Sequence, residues 1–272
     1  MKYSIITVNY NNKEGLRKTI ESVINQTFQD FEYIVIDGGS TDGSTDILKE
    51  YDARINYWIS EPDGGIYQGM NKGILKATGE YLNFMNSGDC FYDNKRLEFI
   101  EDCHFTDDII VGSDYYYDPV TNKGFTSILP PRLSMYSLYK GSFPHQSSFL
   151  RRELFKDCLY DEHLRMVSDW KFFIQKIIFE ECTVSFFRDK VCLRDCDDGI
   201  CSIYPDMLKK EMNQLLDEFL PRRIRQDYEI LAKIDNSTYY KLQFICEHPK
   251  LLRYLTIVIK IICRLNHCLK MH

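Results

Sequence analysis

Two glycine-rich loops that commonly hold nucleotides are missing from this chain. No Gly-Lys-Ser or Gly-Lys-Thr triplet occurs in its 272 residues. The first strand-like run, residues 3–10, ends in the segment Asn9-Tyr10-Asn11-Asn12, and no Gly-x-Gly-x-x-Gly fingerprint follows it. Such loops bring backbone N–H groups close to a phosphate, so their absence argues against a P-loop protein and against a plain dinucleotide-binding domain.

Long apolar runs and an excess of basic charge are also absent. No stretch reaches the roughly 20 apolar residues needed to cross a bilayer. The formal net charge is -6, which argues against a general nucleic-acid binder. Lys2 is followed at once by a strand-like run without a signal-type cleavage site, so we expect a cytoplasmic protein. The ten cysteines are expected to be reduced thiols, and the spacing of Cys192, Cys196 and Cys201 matches no standard zinc pattern.

The chain has enough apolar residues for one large domain, with or without an appendage. Hydrophobic residues make up 44% and aromatic residues 14% of the sequence. Strand-like runs alternate with amphipathic helical patterns up to residue 85, which predicts a parallel sheet with helices on both faces. The predicted strands are residues 3–10, 31–36, 55–59 and 80–85, and further on 109–112 and 146–150. A helix is predicted from Ser168, and more helices after Pro205.

Acidic residues follow the second and fourth predicted strands. Asp37 opens the segment Asp-Gly-Gly-Ser-Thr-Asp-Gly, and Asp89 closes the segment Asn-Ser-Gly-Asp. Ligands of open α/β sheets bind at the carboxyl ends of the strands, so this pattern predicts a site for a nucleotide diphosphate and a divalent metal. Asp89 is the predicted metal ligand, because one carboxylate with substrate phosphates can hold Mg²⁺ or Mn²⁺. A plain turn is the alternative for residues 86–89, and Asp42 is predicted to cap a helix near Ser44.

Taken together, these motifs resemble those of the inverting glycosyltransferases of family 2. The resemblance covers about residues 1–200 and lies in residues 4–11, 37–43 and 86–89. Residues 60–74, His145-Gln146 and Ser168-Asp169-Trp170 are similar to the bacterial surface-polysaccharide branch of that family. The resemblance implies the Rossmann-like GT-A fold, a mixed α/β sheet flanked by helices. It also implies transfer of a sugar from a nucleotide diphosphate, a UDP-sugar first, to a capsular or other surface polysaccharide precursor that is lipid-linked.

The resemblance assigns donor binding to the end of the first strand and the nearby turns. Val8, Asn9 and Tyr10 would line the nucleobase pocket, and Asp37 would accept from a base N–H or a ribose hydroxyl. A core position is the alternative for Tyr10. Asp63, Asn71, Ser87 and Gly88 complete the donor-binding set, with a turn-forming role as the alternative for Asp63.

Catalysis and acceptor binding fall on later residues. Asp169 is the implied catalytic base, with an ordinary helix-capping acid as the alternative. His145 and Gln146 would bind the acceptor or a donor phosphate, with a structural histidine as the alternative. Gly38 and Asn86 replace acids that relatives carry, which leaves the choice of uridine open. These two replacements also motivate a second hypothesis, a non-catalytic nucleotide-sugar-binding or scaffold subunit.

The end of the chain differs in charge from the rest. From Lys250 onward there are five basic residues and no acid, and Arg253, Lys260 and Arg264 fall on one helical face. This pattern suits an amphipathic helix on anionic lipid, with a bundle helix or a homo-oligomer contact as the alternatives. We therefore predict a catalytic domain over residues 1–203 and a helical extension over residues 204–272. The protein would then lie at the inner face of the cytoplasmic membrane.

Overall fold

The computed structural model describes residues 1–118, 120–130, 132–195, 204–233 and 244–269. The chain divides into two compact units, Met1–Leu215 and Leu216–His272. The domain boundary predicted at residue 203 stays a prediction. Cys196, Cys201 and the loop predicted beyond Asp195 lie outside the described residues. The free thiols of the described residues include Cys90, Cys103, Cys158, Cys182, Cys192, Cys246 and Cys263.

The strands and helices of the described residues are as follows. The strands are β1 (Tyr3–Asn9), β2 (Phe31–Asp37), β3 (Tyr57–Ser60), β4 (Tyr81–Phe84), β5 (Cys90–Phe91), β6 (Ile109–Asp118), β7 (Lys123–Thr126), β8 (Ser148–Arg151) and β9 (Val184–Asp195). The helices are α1 (Lys13–Ile24), α2 (Ser44–Glu50), α3 (Ile66–Lys76), α4 (Arg96–Asp102), α5 (Met135–Tyr139), α6 (Ser168–Ile174), α7 (Pro205–Phe219), α8 (Arg222–Ala232) and α9 (Pro249–Leu269).

One mixed sheet organises the first unit. Its strands lie in the order β3-β2-β1-β4-β8-β6-β9-β5, and β7 pairs with β6 outside that path. The first four strands are parallel, β8 runs antiparallel to both of its neighbours, and β9 is parallel to β6. The predicted parallel sheet is therefore confirmed over β1 to β4. Their carboxyl ends meet at one edge, the position expected for a ligand.

Apolar spacing places α1 and α3 on the sheet as predicted. Leu16, Ile20 and Val23 recur at helical intervals on α1 and are fully buried, while Asn12 caps the helix by accepting from Gly15 N–H at 3.1 Å. Asp42 was predicted to cap α2, but the N-cap residue is Gly43, and Asp42 lies one position before it. Its carboxylate accepts from Ser44 N–H at the start of α2 and from Lys13 N–H at the start of α1, so one side chain fixes two helix ends.

Three sequence expectations need correction. The strand predicted over residues 146–150 begins only at Ser148, because Ser147 N–H bonds back to the Pro144 carbonyl and closes a 3₁₀ turn. The helix from Ser168 changes to a π turn at Gln175–Phe179, so Ile178 is only half-buried. The twelve-residue β9 was not predicted, since charged residues interrupt its apolar pattern and irregular pairing with β6 breaks its alternation.

The second unit contains the rest of the helical extension. Helix α9 exposes apolar side chains along its length, among them Tyr254, Ile257, Val258, Ile261 and Ile262. In the part of the chain that the structure describes, no helix has the length and apolarity required to cross a membrane.

Candidate active site

Asp37 joins the ends of the first three strands. Its carboxylate is fully buried and accepts four hydrogen bonds. The donors are Asn9 Nδ2 at 2.7 Å, Ser60 Oγ at 2.5 Å, and the Ser40 hydroxyl and N–H at 2.5 and 3.0 Å. Both carboxylate oxygens are thus bonded to protein groups. Asp37 fixes the loop after β2, and its predicted contact with the donor stays a prediction.

Asp63 lies beside this loop. Its Oδ1 accepts from Gly65 N–H at 3.0 Å, in the turn that precedes α3. A Cβ on Gly38 would lie 3.1 Å from both carboxylate oxygens of Asp63, and a Cβ on Gly69 would lie 3.3 Å from Oδ2. Burial raises the pKa of the Asp63 carboxyl, and the Gly65 hydrogen bond and the charge of Lys72 only partly oppose that shift. The two glycines therefore let an acid from the turn reach the end of β2.

The turn at residues 86–89 is attached to β1 and α1. Ser87 N–H donates to the Val8 carbonyl at 3.1 Å, and Asn12 Nδ2 donates to the Ser87 carbonyl at 3.2 Å. Gly88 has a φ of 104°, a left-handed conformation that favours glycine. Thr19 accepts from Gly88 N–H at 3.0 Å and donates to the Asp89 carbonyl at 2.7 Å. These bonds fix the backbone from which the Asp89 side chain projects.

Asp89 forms an ion pair that sequence reasoning did not predict. Arg194 Nε lies 3.3 Å from Asp89 Oδ1, and Arg194 Nη1 lies 3.5 Å from Asp114 Oδ2. Asp114 is fully buried and accepts from Ser147 Oγ at 2.6 Å. Burial raises the pKa of the Asp114 carboxyl, and the positive charge of Arg194 only partly opposes it. The cluster holds two carboxylates and one guanidinium, for a formal charge of one negative unit.

A chain of polar contacts links this turn to Asp169. Asn86 Nδ2 lies 3.1 Å from His145 Nε2, and His145 Nδ1 lies 3.1 Å from Asp169 Oδ2. Tyr67 OH donates to Asp169 Oδ1 at 2.8 Å. Burial, followed by the charge of Asp169, raises the pKa of Tyr67 well above its ordinary value, so the phenol remains a donor. A neutral His145 that donates from Nδ1 to Asp169 is left to accept from the Asn86 amide through Nε2.

Three predicted site residues lie apart from this chain of contacts. Asn71 is buried, and its amide bonds to the Tyr160 backbone at 2.9 and 3.0 Å and to Glu162 Oε1 at 2.8 Å. The side chain of Gln146 is also buried. Tyr10 is 67% exposed directly after β1, so it is not a core aromatic. The roles predicted for these residues stay predictions.

The side-chain oxygens of Asp89 and Asn86 are suitable ligands for a divalent cation whose other ligands come from a substrate. Among the described residues, no group of three or more histidine, cysteine or acidic side chains could hold a metal. The Asp89 carboxylate and the Asn86 amide oxygen belong to one turn, and that amide oxygen is buried without a hydrogen-bond partner among the same residues. Oxygen ligands of this kind suit Mg²⁺ and Mn²⁺ when phosphates and waters complete the coordination.

Three side chains of the site were missed by sequence reasoning, and two of them gave a usable signal. Tyr67 lies within residues 60–74, which were already identified as a motif. Asp114 follows the predicted strand at residues 109–112 by two positions. A longer predicted strand would have included Asp114 and identified it as a candidate buried acid. Arg194 ends an irregular strand, and no local pattern identifies it.

A mixed sheet with acids at the carboxyl ends of its parallel strands is the arrangement expected of the GT-A fold. The family model described as Glycosyl transferase family 2 matches residues 4–168. An uncharacterised glycosyltransferase of Mycobacterium tuberculosis is 33% identical over 195 residues, which cover 66% of this chain and 71% of that protein. A PGL/p-HBAD biosynthesis glycosyltransferase of Mycobacterium bovis is 32% identical over 181 residues, covering 64% and 68%. The chain belongs to glycosyltransferase family 2 and is a glycosyltransferase.

Solved structures show the same fold. Staphylococcus aureus TarS superposes with a TM-score of 0.60 at 21% identity, over 80% of this chain and 39% of TarS. The mannosyltransferase PcManGT from Pyrobaculum calidifontis, in complex with GDP-Man and Mn²⁺, gives a TM-score of 0.60 at 15% identity, over 80% and 63%. The predicted GT-A fold is therefore confirmed.

Proposed function

We propose that the chain is an inverting, metal-assisted glycosyltransferase that moves a sugar from a nucleotide diphosphate to an acceptor hydroxyl. One observation carries the proposal. Asp169, the candidate base, is held by Tyr67 and His145, and His145 contacts the turn that presents Asp89. The proton acceptor is thus joined by hydrogen-bonded side chains to the turn that carries the proposed ligands of the cation.

Donor binding is assigned to the ends of β1 and β2. TarS is known in complex with UDP-GlcNAc and with UDP, and PcManGT with GDP-Man, which supports a nucleotide-sugar donor. Exposed Tyr10 offers a ring for the base, and the neighbouring Val8 and Asn9 offer backbone groups. Asp63 lies where a side chain at Gly38 would otherwise lie, so it supplies the acid that reads the base or ribose. A UDP-sugar remains the first choice of donor.

Asp89 and Asn86 would hold the divalent cation, with Mn²⁺ or Mg²⁺ as candidates. When bound, the cation supplies Lewis-acid stabilisation of the departing diphosphate. Hydrogen bonds from Ser87 and Gly88 attach the backbone of this turn to β1 and α1, and they thereby fix the positions from which both ligands project.

Asp169 takes the proton from the acceptor hydroxyl as that oxygen attacks the anomeric carbon opposite the diphosphate. One bond forms and the bond to the diphosphate breaks in a single displacement, which inverts the configuration. Tyr67 and His145 hold the carboxylate in place. Gln146 follows His145 in the sequence and remains our candidate for binding the acceptor.

The proposed acceptor is a lipid-linked precursor of a bacterial surface glycan, and α9 would bring the enzyme to it. The helix exposes apolar residues together with Lys250, Arg253 and Lys260 and has no acid. Such a helix lies in the membrane interface and is attracted to anionic lipid. We place the enzyme at the inner face of the cytoplasmic membrane.

A vesicle flotation assay tests this placement. Neutralising Arg253 and Lys260 to Gln should weaken binding to anionic vesicles by about 1 kcal/mol, roughly fivefold, for each charge. The same neutralisation at exposed Lys209 and Lys210 of α7 is the matched control and should have a smaller effect. Equal binding by all variants would contradict the lipid contact, and a concentration-dependent dimer would favour the oligomer alternative.

Donor binding is tested by thermal shift with a panel of nucleotide sugars, with and without Mn²⁺. The cognate donor should raise the melting temperature only when Mn²⁺ is present, because a ligand bound to the native state stabilises it. Asp89→Ala should remove that shift while the unliganded protein still melts cooperatively. A metal-independent shift that persists in Asp89→Ala would contradict the assignment of Asp89.

The alternative of a non-catalytic nucleotide-sugar-binding subunit, which Gly38 and Asn86 motivated, is outweighed by the chain's membership of a glycosyltransferase family. Such a subunit would bind the donor but release no nucleoside diphosphate with any acceptor offered. Turnover in the same preparation that shows the Mn²⁺-dependent shift would exclude it.

A further inference from the structure

We propose that Arg194 competes with the divalent cation for Asp89 and so makes metal binding depend on the donor's diphosphate. The inference rests on the proposed function and adds a property that fold and family membership do not supply. Arg194 would set the order of events at the site, because the bare ion is disfavoured and the metal–diphosphate pair is accepted.

The position of Arg194 supports this competition. Its side chain is 24% exposed, and it lies between the 15% exposed Asp89 and the fully buried Asp114. The guanidinium carbon also lies 5.6 Å from the centre of the Tyr116 ring, which adds a cation–π contact. The guanidinium therefore belongs to a partly buried cluster, where charges interact more strongly than in water.

The charges of the cluster explain why a bare ion would bind weakly. A divalent cation on Asp89 would lie within a few Å of the guanidinium, and the two positive groups would repel each other. A diphosphate carries several negative charges and would offset that repulsion when it arrives with the metal. Metal and nucleotide would then raise each other's affinity by the same factor, as thermodynamic linkage requires.

Asp114 gives Arg194 a second anchor. Because Asp114 is buried and its other oxygen accepts from Ser147, it keeps an ionic partner only if the guanidinium stays near. Arg194 can release Asp89 to the metal and remain paired with Asp114. The planar fork of arginine suits this position, since it can bond to two carboxylates at once.

Mn²⁺ binding followed by electron paramagnetic resonance tests the competition on the full chain. Free Mn²⁺ is titrated with the wild type and with Arg194→Gln and Arg194→Lys, first alone and then with saturating UDP or GDP. We expect Arg194→Gln to bind bare Mn²⁺ roughly tenfold more tightly, and so to show a smaller gain on adding UDP. Arg194→Lys keeps the charge, so its affinity for bare Mn²⁺ should lie closer to that of the wild type than the affinity of Arg194→Gln does.

Two further variants control for the loss of the Asp114 ion pair and for a general loss of positive charge. Arg194→Gln leaves Asp114 buried without its ionic partner, so the double variant Arg194→Gln/Asp114→Asn is measured as well and should keep the tighter Mn²⁺ binding. Arg151 also bridges two carboxylates, at 2.7 Å from Glu80 and 3.8 Å from Asp108. Arg151→Gln is therefore the matched control, and its Mn²⁺ affinity should not change.

The outcomes separate this inference from the proposed function. If UDP and Mn²⁺ bind together but neither Arg194→Gln nor the double variant binds bare Mn²⁺ more tightly, the competition is wrong and the function stands. If neither UDP nor GDP strengthens Mn²⁺ binding in any variant, the metal-assisted function fails, and the inference fails with it. Tighter binding by Arg151→Gln would show that any loss of positive charge has this effect and would also overturn the inference.

Discussion

The two ends of the sheet hold their carboxylates in different ways. At the amino end, Glu32 of β2 is buried, and one of its oxygens accepts from the Ser4 hydroxyl at 2.5 Å, from the Gly79 N–H at 3.0 Å and from both donors of Thr78. Over the carboxyl end, Asp169 accepts two hydrogen bonds, one on each oxygen, from Tyr67 and His145.

Under the proposed function, Asp169 is the reactive acid of this pair and Glu32 the structural one. A carboxylate offers about four acceptor positions, so two bonds leave Asp169 able to accept from a substrate hydroxyl. The four bonds to Glu32 attach the turn before β4 to β1 and β2. Asp37 lies at the carboxyl end and also accepts four bonds, which fix the loop after β2, and its predicted contact with the donor stays a prediction.

Asp169 accepts the fewest hydrogen bonds of these three acids, and replacing it should have the largest effect on the transfer rate. Asp169→Asn keeps the shape and an acceptor oxygen but removes the base, so the transfer rate should fall by about 10²–10⁴-fold. Nucleoside diphosphate release in the presence of acceptor measures the loss. The variant should still show the donor- and Mn²⁺-dependent thermal shift, and transfer at the wild-type rate would contradict the role of Asp169.

The corresponding change at the amino end should affect stability and not turnover. Glu32→Gln weakens charge-assisted hydrogen bonds and should lower the free energy of unfolding by about 1–3 kcal/mol, measured by urea denaturation. The rate constant of the folded enzyme should stay at the wild-type value. A loss of turnover without a loss of stability would break the distinction between the two ends.

The pH dependence of that stability loss has a definite sign. Burial by itself would raise the pKa of Glu32, but the hydrogen bonds from Ser4, Thr78 and Gly79 hold it below its ordinary value. A lowered pKa means that this contribution is complete above the unfolded pKa of about 4.3 and is lost as the pH falls through the folded pKa. The gap between wild type and Glu32→Gln should therefore be constant near neutral pH and close in acid.

Local sequence patterns predicted the strands β1 to β4 and the turns that carry Asp37, Asp63 and Asp89, because each is a short signal of apolar residues followed by turn formers. Contacts between distant residues could not be predicted that way. Tyr67 and Asp169 lie 102 positions apart, and Glu32 lies 46 positions from Thr78. Arg194 was missed because the strand that delivers it has an irregular pattern. The cluster around Asp89 thus became visible only through the pairing of β9 with β6.

The smallest effect on catalysis is expected from replacing Tyr67, and Tyr3 provides the control. Both tyrosines donate a hydrogen bond to a carboxylate, at opposite ends of the sheet. Tyr67 donates to Asp169, and Tyr3 donates to Glu101 at 2.9 Å near the start of β1. Tyr67→Phe removes one hydrogen bond from the candidate base, worth about 1–2 kcal/mol, so kcat should fall by roughly tenfold. Tyr3→Phe makes the same chemical change and should leave kcat as it is, so an equal effect of the two variants would show that Tyr67 only supports the fold.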